Sequence, residues 1–188
     1  MPNLATATGG GCSETGPVRH GNEDRFSIND AFGLFVVADC TGGHSAGEVA
    51  SELAIDTIIS FIARSQDSHE FSSPCGILPP FSSDGKRLRT ALHLANRRVF
   101  RSAEAHDDYL GTGTTADAAL TTAGRMAVAH VGDSRAYRLR GGHLQRLTRD
   151  DSWMAAMLSG DVAAALAAGS RDNVTAEVIT RREAGSAL

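Results

Sequence analysis

The chain has 188 residues, of which 41% are hydrophobic and 21% charged, and this length predicts one domain, residues 1–188, with a buried core. The formal net charge is −4 and basic residues look scattered, so we expect neither nucleic acid nor an anionic membrane as a main partner. Three cysteines form no Cys-x-x-Cys pair, so neither a disulfide scaffold nor a zinc site is indicated. No basic, apolar leader and no run of about 18 apolar residues is visible, so we expect an unprocessed cytoplasmic protein without a membrane span.

The first half of the chain predicts two strands followed by a helix. Residues 1–16 are rich in glycine and small polar residues, which predicts a flexible lead-in. Runs of β-branched and aromatic residues then predict strands at 25–29 and 34–38. Apolar residues recur at helical spacing over 46–63, and the prolines and serines of 66–86 predict a surface loop.

The second half predicts another helix and more strands. Leu88, Leu92, Ala95 and Val99 open an amphipathic helix. Further short runs predict strands at 115–120, 126–131, 136–140 and 174–180, with a hairpin turn at Gly141-Gly142. Because the strands come in runs and the helices are grouped, an α+β layered sandwich is favoured over a parallel doubly wound sheet.

Acidic residues stand at the ends of several predicted strands. Asp39 follows the apolar run 34–38 directly and precedes a pair of glycines, which holds its carboxylate at the rim of the core. Similar positions are occupied by Glu23, Asp24, Asp133 and Asp172. Carboxylate oxygens are hard ligands that suit Mg²⁺ or Mn²⁺, so the pattern predicts a divalent cation site. Taken alone, Asp39 fits equally well as a cap for the helix that follows.

Arg19 lies four residues before Glu23, so a guanidinium and a carboxylate enter on one short segment. A planar guanidinium binds phosphate oxygens in bidentate fashion, although a surface salt bridge between the two side chains is an open alternative. The segments 132–135 and 172–173 have the same ambiguity, because Asp, Ser and Asn after a strand also make ordinary turns with Arg135 as a solvated ion pair.

The joint order of these motifs is more specific than any one of them. In sequence order they are Arg19-x-x-Asn22-Glu23-Asp24, Val37-Ala38-Asp39-x-x-Gly42-Gly43-His44-x-Ala46-Gly47-Glu48, Gly113-Thr114-Thr115, Val131-Gly132-Asp133-Ser134-Arg135-Ala136-Tyr137, Leu147-Thr148-x-Asp150 and Ser170-Arg171-Asp172-Asn173-Val174-Thr175. Over residues 16–180 the chain resembles the type 2C (PPM) metal-dependent protein phosphatases in their bacterial form.

The resemblance implies a four-layer α-β-β-α sandwich of two antiparallel sheets flanked by helices, here partly truncated. It implies hydrolysis of phosphoserine and phosphothreonine by a metal-activated water, with two Mn²⁺ or Mg²⁺ ions and a third held more weakly. The metal ligands it implies are Glu23, Asp39, Cys40 through its carbonyl, Asp133 and Asp172. By the same resemblance Asp39 is shared by two ions, Arg19 clamps the phosphate and Asp24 holds water at the metals. The implied partners are phosphorylated proteins and an opposing Ser/Thr kinase.

Two departures from the family pattern bear on activity. Cys40 stands where the family has glycine, and a side chain there costs about 1–2 kcal/mol if the backbone needs a positive φ. Only residues 154–169 separate the Leu-Thr-x-Asp segment from Asp172, so we predict an internal deletion after Trp153 that removes a metal-binding Asp-Gly turn, with Asp161 as the only nearby substitute. Two alternatives therefore stay open, an impaired phosphatase that serves as a phosphoprotein-binding or regulatory module, and a shortened remnant that folds poorly.

Overall fold

A four-stranded antiparallel sheet lies at the centre of the structure, a computed structural model. The structure describes residues 7–15, 17, 21–41, 45–65, 81–109, 111–122 and 124–151. In chain order its elements are β1 (Arg25–Asn29), β2 (Leu34–Ala38), β3 (Cys40–Thr41), α1 (Ser45–Ser65), α2 (Ser83–Ala105), β4 (Gly113–Thr114), β5 (Ala116–Thr122), β6 (Arg125–Val131), β7 (Tyr137–Arg140) and β8 (His143–Arg146), with a short 3-10 helix at Asp107–Tyr109. The strand order of the central sheet is β1-β2-β5-β6.

One face of this sheet forms the core. Strand β2 alternates strictly, with Leu34, Val36 and Ala38 buried while Phe35 and Val37 point to the opposite side. Alternate residues of β5 and β6 continue the buried face, and α1 and α2 pack across it. The two helices therefore cover what we call the inner face, and the other side of the sheet is the outer face.

Two small two-stranded sheets complete the described fold. Strand β3 pairs with β4, so that Cys40 lies opposite Thr114. Strands β7 and β8 form a hairpin whose turn residues Gly141 and Gly142 both have positive φ, at 54° and 77°. A two-residue hairpin turn of this kind matches the twist of its strands and requires residues that tolerate positive φ, which explains the glycine pair.

Most of the predicted elements are confirmed. The first two strands have the predicted bounds, the first helix extends one or two residues beyond 46–63 at each end, and the hairpin turn is in place. The α+β class is confirmed, as a partial sandwich with two described helices and antiparallel sheets. Residues 7–15 of the predicted lead-in form neither helix nor strand. The predicted strand at 174–180 and the segment 154–169 lie outside the described residues.

The loop predicted over 66–86 was wrong at its C-terminal end. Helix α2 begins at Ser83, because the hydroxyl of Ser82 accepts a hydrogen bond from the backbone N–H of Gly85 at 3.2 Å and caps the first turn. Strands β3, β4 and β8 were not predicted, since two-residue strands carry no periodic signal and β8 is exposed along its whole length.

Helix α2 concentrates several basic residues on one side. Residues three or four apart in sequence share one side of a helix, and this spacing gathers five basic side chains. They are Lys86, Arg89, His93, Arg97 and Arg101. Neither of the two described helices is both long enough and apolar enough to cross a membrane.

Candidate functional site

The backbone of Asp39 is held on both sides by a pair of threonines. Its N–H donates to the hydroxyl of Thr115 at 3.1 Å. Its carbonyl accepts from the backbone N–H of Thr115 at 2.7 Å and from the hydroxyl of Thr114 at 3.1 Å. These three bonds fix the chain where β2 ends, so the carboxylate of Asp39 leaves the sheet from a rigid position.

Thr115 also joins the Asp39 segment to the turn that carries Asp133. The hydroxyls of Thr115 and Ser134 are 2.8 Å apart and share a hydrogen bond. Gly132 has φ +104°, and a Cβ at this position would lie only 2.7 Å from Cγ2 of Thr115. Both the backbone conformation and the close approach therefore require glycine immediately before Asp133.

Glu23 approaches the same region from the segment before β1. The hydroxyl of Ser51 in α1 donates to the carbonyl of Glu23 at 3.1 Å, which ties this segment to the helix. A Cβ built on Gly47 would lie 3.1 Å from Oε2 of Glu23 and would overlap Sγ of Cys40. Glu23 and Cys40 thus meet at the first turn of α1, and only glycine at position 47 leaves room for both.

The pKa of the Cys40 thiol is shifted by burial and by the carboxylates that surround it. Burial is the largest of several causes that together raise its pKa to about 11. The others are the carboxylate of Glu23, which hydrogen-bonds to the thiol, and the carboxylates of Asp39 and Asp24. The thiol is therefore protonated at neutral pH. Because Cys40 lies in the extended strand β3, the cost expected for a side chain at positive φ does not arise.

Arg135 is engaged in a separate ion pair. Its guanidinium makes two bonds to Asp150, at 3.0 and 2.8 Å, and Arg146 contacts the same carboxylate. The hydrogen bonds from Arg135 hold the pKa of Asp150 below its ordinary value, and the pair raises the pKa of Arg135. The interpretation of Arg135 as a solvated ion pair is thereby confirmed, since about half of its side chain is exposed.

Asp117 is a residue of interest that the sequence analysis missed. It lies on the outer face, directly opposite Val37 on one side and His130 on the other. Both of its carboxylate oxygens are buried and have no hydrogen-bond partner in the described part of the chain, and burial raises its pKa to about 6. It lines a cavity of about 600 Å³ that Asp24 and Asp39 also line. A charged residue inside an apolar strand was the available signal.

The structure thus gathers part of the predicted site. Glu23, Asp24, Asp39 and Cys40 share one corner, and the turn of Asp133 is linked to it through Thr115. Arg19 and Asp172 lie outside the described residues. Among the residues that the structure does describe, no three His, Cys, Asp or Glu side chains converge closely enough to hold a metal ion by themselves. The donors present are carboxylate oxygens, which fit Mn²⁺ or Mg²⁺ better than a soft metal.

Comparisons with known proteins point to one family. Residues 19–180 match the family model of protein phosphatase 2C. The serine/threonine protein phosphatase PstP of Mycobacterium tuberculosis is 37% identical over 142 residues, which are 76% of this chain and 24% of that protein. The serine/threonine phosphatase stp of Listeria welshimeri is 34% identical over 143 residues, covering 74% of this chain and 53% of that protein.

A solved structure shares the fold as well. The catalytic domain of PstP in complex with two manganese ions has a TM-score of 0.66 and 28% sequence identity, over 91% of this chain and 71% of that chain. This chain spans between about a quarter and a half of the length of the two curated relatives. The family match covers most of the sequence and contains every motif assigned above. The chain belongs to the protein phosphatase 2C family.

Proposed function

We propose that the chain is a metal-dependent protein phosphatase that hydrolyses phosphoserine and phosphothreonine. The observation that carries the proposal is the pair of hydrogen bonds made by the Thr115 hydroxyl, which holds the Asp39 segment against the Asp133 turn. Glu23 meets Cys40, the residue next to Asp39, at the start of α1. These contacts bring together three segments that are distant in sequence, and they support the proposal that the acidic residues of those segments serve one site.

The proposed ligand set for two Mn²⁺ or Mg²⁺ ions and a weaker third follows the motifs. It comprises Glu23, Asp39, the carbonyl of Cys40, Asp133 and Asp172. When bound, such ions activate water and neutralise charge on the phosphoryl group. By the resemblance to the family, Asp39 would be the ligand shared by two ions, and its backbone is held by three hydrogen bonds. Arg19 binds the phosphate and Asp24 orients water by hydrogen bonding.

The relatives support the choice of metal and substrate. PstP has been crystallised with two manganese ions, and both PstP and stp are serine/threonine phosphatases. By analogy the partners of this chain are phosphorylated proteins in the cytoplasm and the Ser/Thr kinase that modifies them. These analogies concern the whole protein and rest on family membership.

The short segment 154–169 is expected to limit the activity of the proposed enzyme. If it lacks the Asp-Gly ligand turn, the first ion loses one carboxylate and binds more weakly. The enzyme should then need more Mn²⁺ for full turnover than a relative with the complete turn. A more severe loss would leave a regulatory module that still binds phosphoproteins.

The test is Mn²⁺-dependent hydrolysis of a small aryl phosphate by the full chain. We expect wild type to show turnover that rises with Mn²⁺ and disappears with a chelator. Asp39→Asn should lose this turnover, whereas the matched variant Asp108→Asn, which changes an exposed aspartate of the 3-10 helix, should keep it.

Two results would overturn the proposal. One is folded wild-type protein that binds a phosphopeptide without hydrolysing it at any Mn²⁺ concentration, which would identify a regulatory module instead. The other is Mn²⁺-dependent turnover that survives in Asp39→Asn, which would place the chemistry elsewhere in the molecule.

A further inference from the structure

The two helices present opposite charges on their solvent-facing sides. The five basic side chains of α2, from Lys86 to Arg101, form what we call the basic stripe. It extends about 22 Å at 1.5 Å per residue. Helix α1 carries three acidic residues at intervals of four, which places them on one side of the helix. They are Glu48, Glu52 and Asp56, and we call them the acidic stripe.

One acidic residue adjoins the basic stripe, since exposed Glu104 lies three residues after Arg101 on the same side of α2. The other charges of the two stripes make few ion pairs within the described chain. Arg97 and Arg101 are exposed, as are Glu52 and Asp56. Among the ion pairs of the described residues, the two stripes contribute one, between Glu48 and Arg25 at 3.2 Å. Most apolar residues of both helices are turned toward the sheet or the other helix, and few of them, such as the partly buried Ile59, lie near the stripes.

The acidic stripe is level with the C-terminal half of the basic stripe. The guanidinium of Arg98 donates to the hydroxyl of Thr57 at 3.2 Å. Nearer the start of α1, Leu53 adjoins Val99 and Ala103 around a small cavity. The helices are therefore antiparallel, and Glu52 and Asp56 lie at the height of residues 97–103 along the pair.

We propose that the helical layer of this chain binds a second copy of itself. The two copies would be related by a two-fold axis that lies between their helical layers and runs parallel to the helices. This rotation places α1 of one copy over α2 of the other and leaves each residue's position along the helix axis unchanged. Glu52 and Asp56 of each copy then face Arg97 and Arg101 of the other, and the same contact occurs twice. The interface is self-complementary in charge.

The presence of both stripes favours a second copy over a uniformly anionic partner. A nucleic acid or an anionic membrane laid across the helical layer would meet the arginines of α2 and, beside them, the carboxylates of α1. Like-charge contacts of this kind disfavour such partners. Without apolar anchors the association is electrostatic, so it is strong at low ionic strength and screened at high ionic strength.

The test is sedimentation of the full chain at two ionic strengths. At about 0.01 M salt, where the Debye length is about 30 Å, we expect a concentration-dependent dimer, and at about 1 M salt, where it is about 3 Å, a monomer. The variants Arg97→Glu/Arg101→Glu and Glu52→Lys/Asp56→Lys should each sediment as monomers at low salt, because each places like charges across the interface. An equimolar mixture of the two variants should restore the dimer.

The mixture makes the experiment decisive, since misfolded variants would not reassemble with each other. A control pair, Arg125→Glu/Arg140→Glu, reverses two exposed arginines outside the helices and should dimerise like wild type. A monomeric wild type at low salt would overturn the proposal, as would variants that dimerise unchanged. Binding of a DNA duplex by the monomer, lost in Arg97→Glu/Arg101→Glu, would also overturn it in favour of an anionic polymer.

Discussion

The two faces of the central sheet differ in polarity and, along β1 and β2, in exposure to solvent. The inner face is apolar and closely packed, with Val36 and Leu120 each only 1% exposed beneath the helices. The outer face leaves Phe26 and Val37 41% and 49% exposed, and it buries the carboxylate of Asp117 without a hydrogen-bond partner in the described chain. The inner face therefore supplies stability. The acidic residues lie elsewhere, with Asp117 on the outer face and Asp39 directly after the end of β2.

The adjacent valines of β2 test most directly whether the two faces differ in how much they stabilise the fold. Val36→Ala removes two methyl groups from the closed core and should lower the free energy of unfolding by about 2 kcal/mol. Val37→Ala makes the same chemical change on the outer face and should cost less than about 1 kcal/mol, because water already reaches that side chain. Urea denaturation measures both. Equal losses would mean that the outer face is as closely covered as the inner one.

Thr115 tests whether the strand ends are held by the hydrogen bonds seen in the structure. Thr115→Val keeps the shape of the side chain but leaves the N–H of Asp39 and the hydroxyl of Ser134 without this partner, so we expect a loss of about 1–2 kcal/mol in unfolding free energy. Thr115→Ser retains the hydroxyl and should lose less. A Thr115→Ser variant as unstable as Thr115→Val would show that the methyl group, not the hydroxyl, is important.

Asp117 predicts a pH dependence that belongs to the outer face. Its pKa of about 6 in the folded chain lies above the ordinary value of 3.8, so the unfolded chain ionises first as the pH rises. Asp117 therefore makes its full contribution to the free energy of unfolding below about pH 4, and this stabilisation is lost as the pH rises from about 4 to about 6. Because Asp117 lines a cavity large enough for water, which screens the charge, we expect a loss of about 1 kcal/mol.

The matched variant is Asp117→Asn, which has nearly the same shape and no charge. Its stability relative to wild type should increase from pH 4 to pH 6 and then level off, as measured by urea denaturation at each pH. A constant difference between the two proteins across this range would show that Asp117 does not titrate there.

The elements that sequence periodicity specifies were predicted well. Strand β2 alternates with period two and α1 repeats with period 3.6, and both signals are local, so their bounds could be predicted to within about two residues. The family motifs, too, are contiguous in sequence. Their order along the chain predicts which acidic residues form one site, and this ligand set stays a prediction.

The parts that were missed depend on contacts between distant residues or on helical phase. The hydrogen bond from Asp39 to Thr115 spans 76 positions, and the one between Thr115 and Ser134 spans 19. No local sequence pattern can predict contacts over such separations. The burial of Asp117 depends on which face of the sheet is covered. The basic stripe of α2 depends on helical phase, and the observed start at Ser83 adds Lys86 to the four basic residues of the predicted helix.

Binding of Mn²⁺ to the apoprotein, followed by thermal unfolding, tests the central claim that Glu23 and Asp39 belong to one metal site. A ligand that binds only the folded state raises its stability, so wild type should melt at a higher temperature as Mn²⁺ is added, until the site is saturated. Glu23→Gln and Asp39→Asn should each lose most of this rise, while Asp108→Asn keeps it. An equal rise in all four proteins would contradict the account, because the ions would then be bound elsewhere.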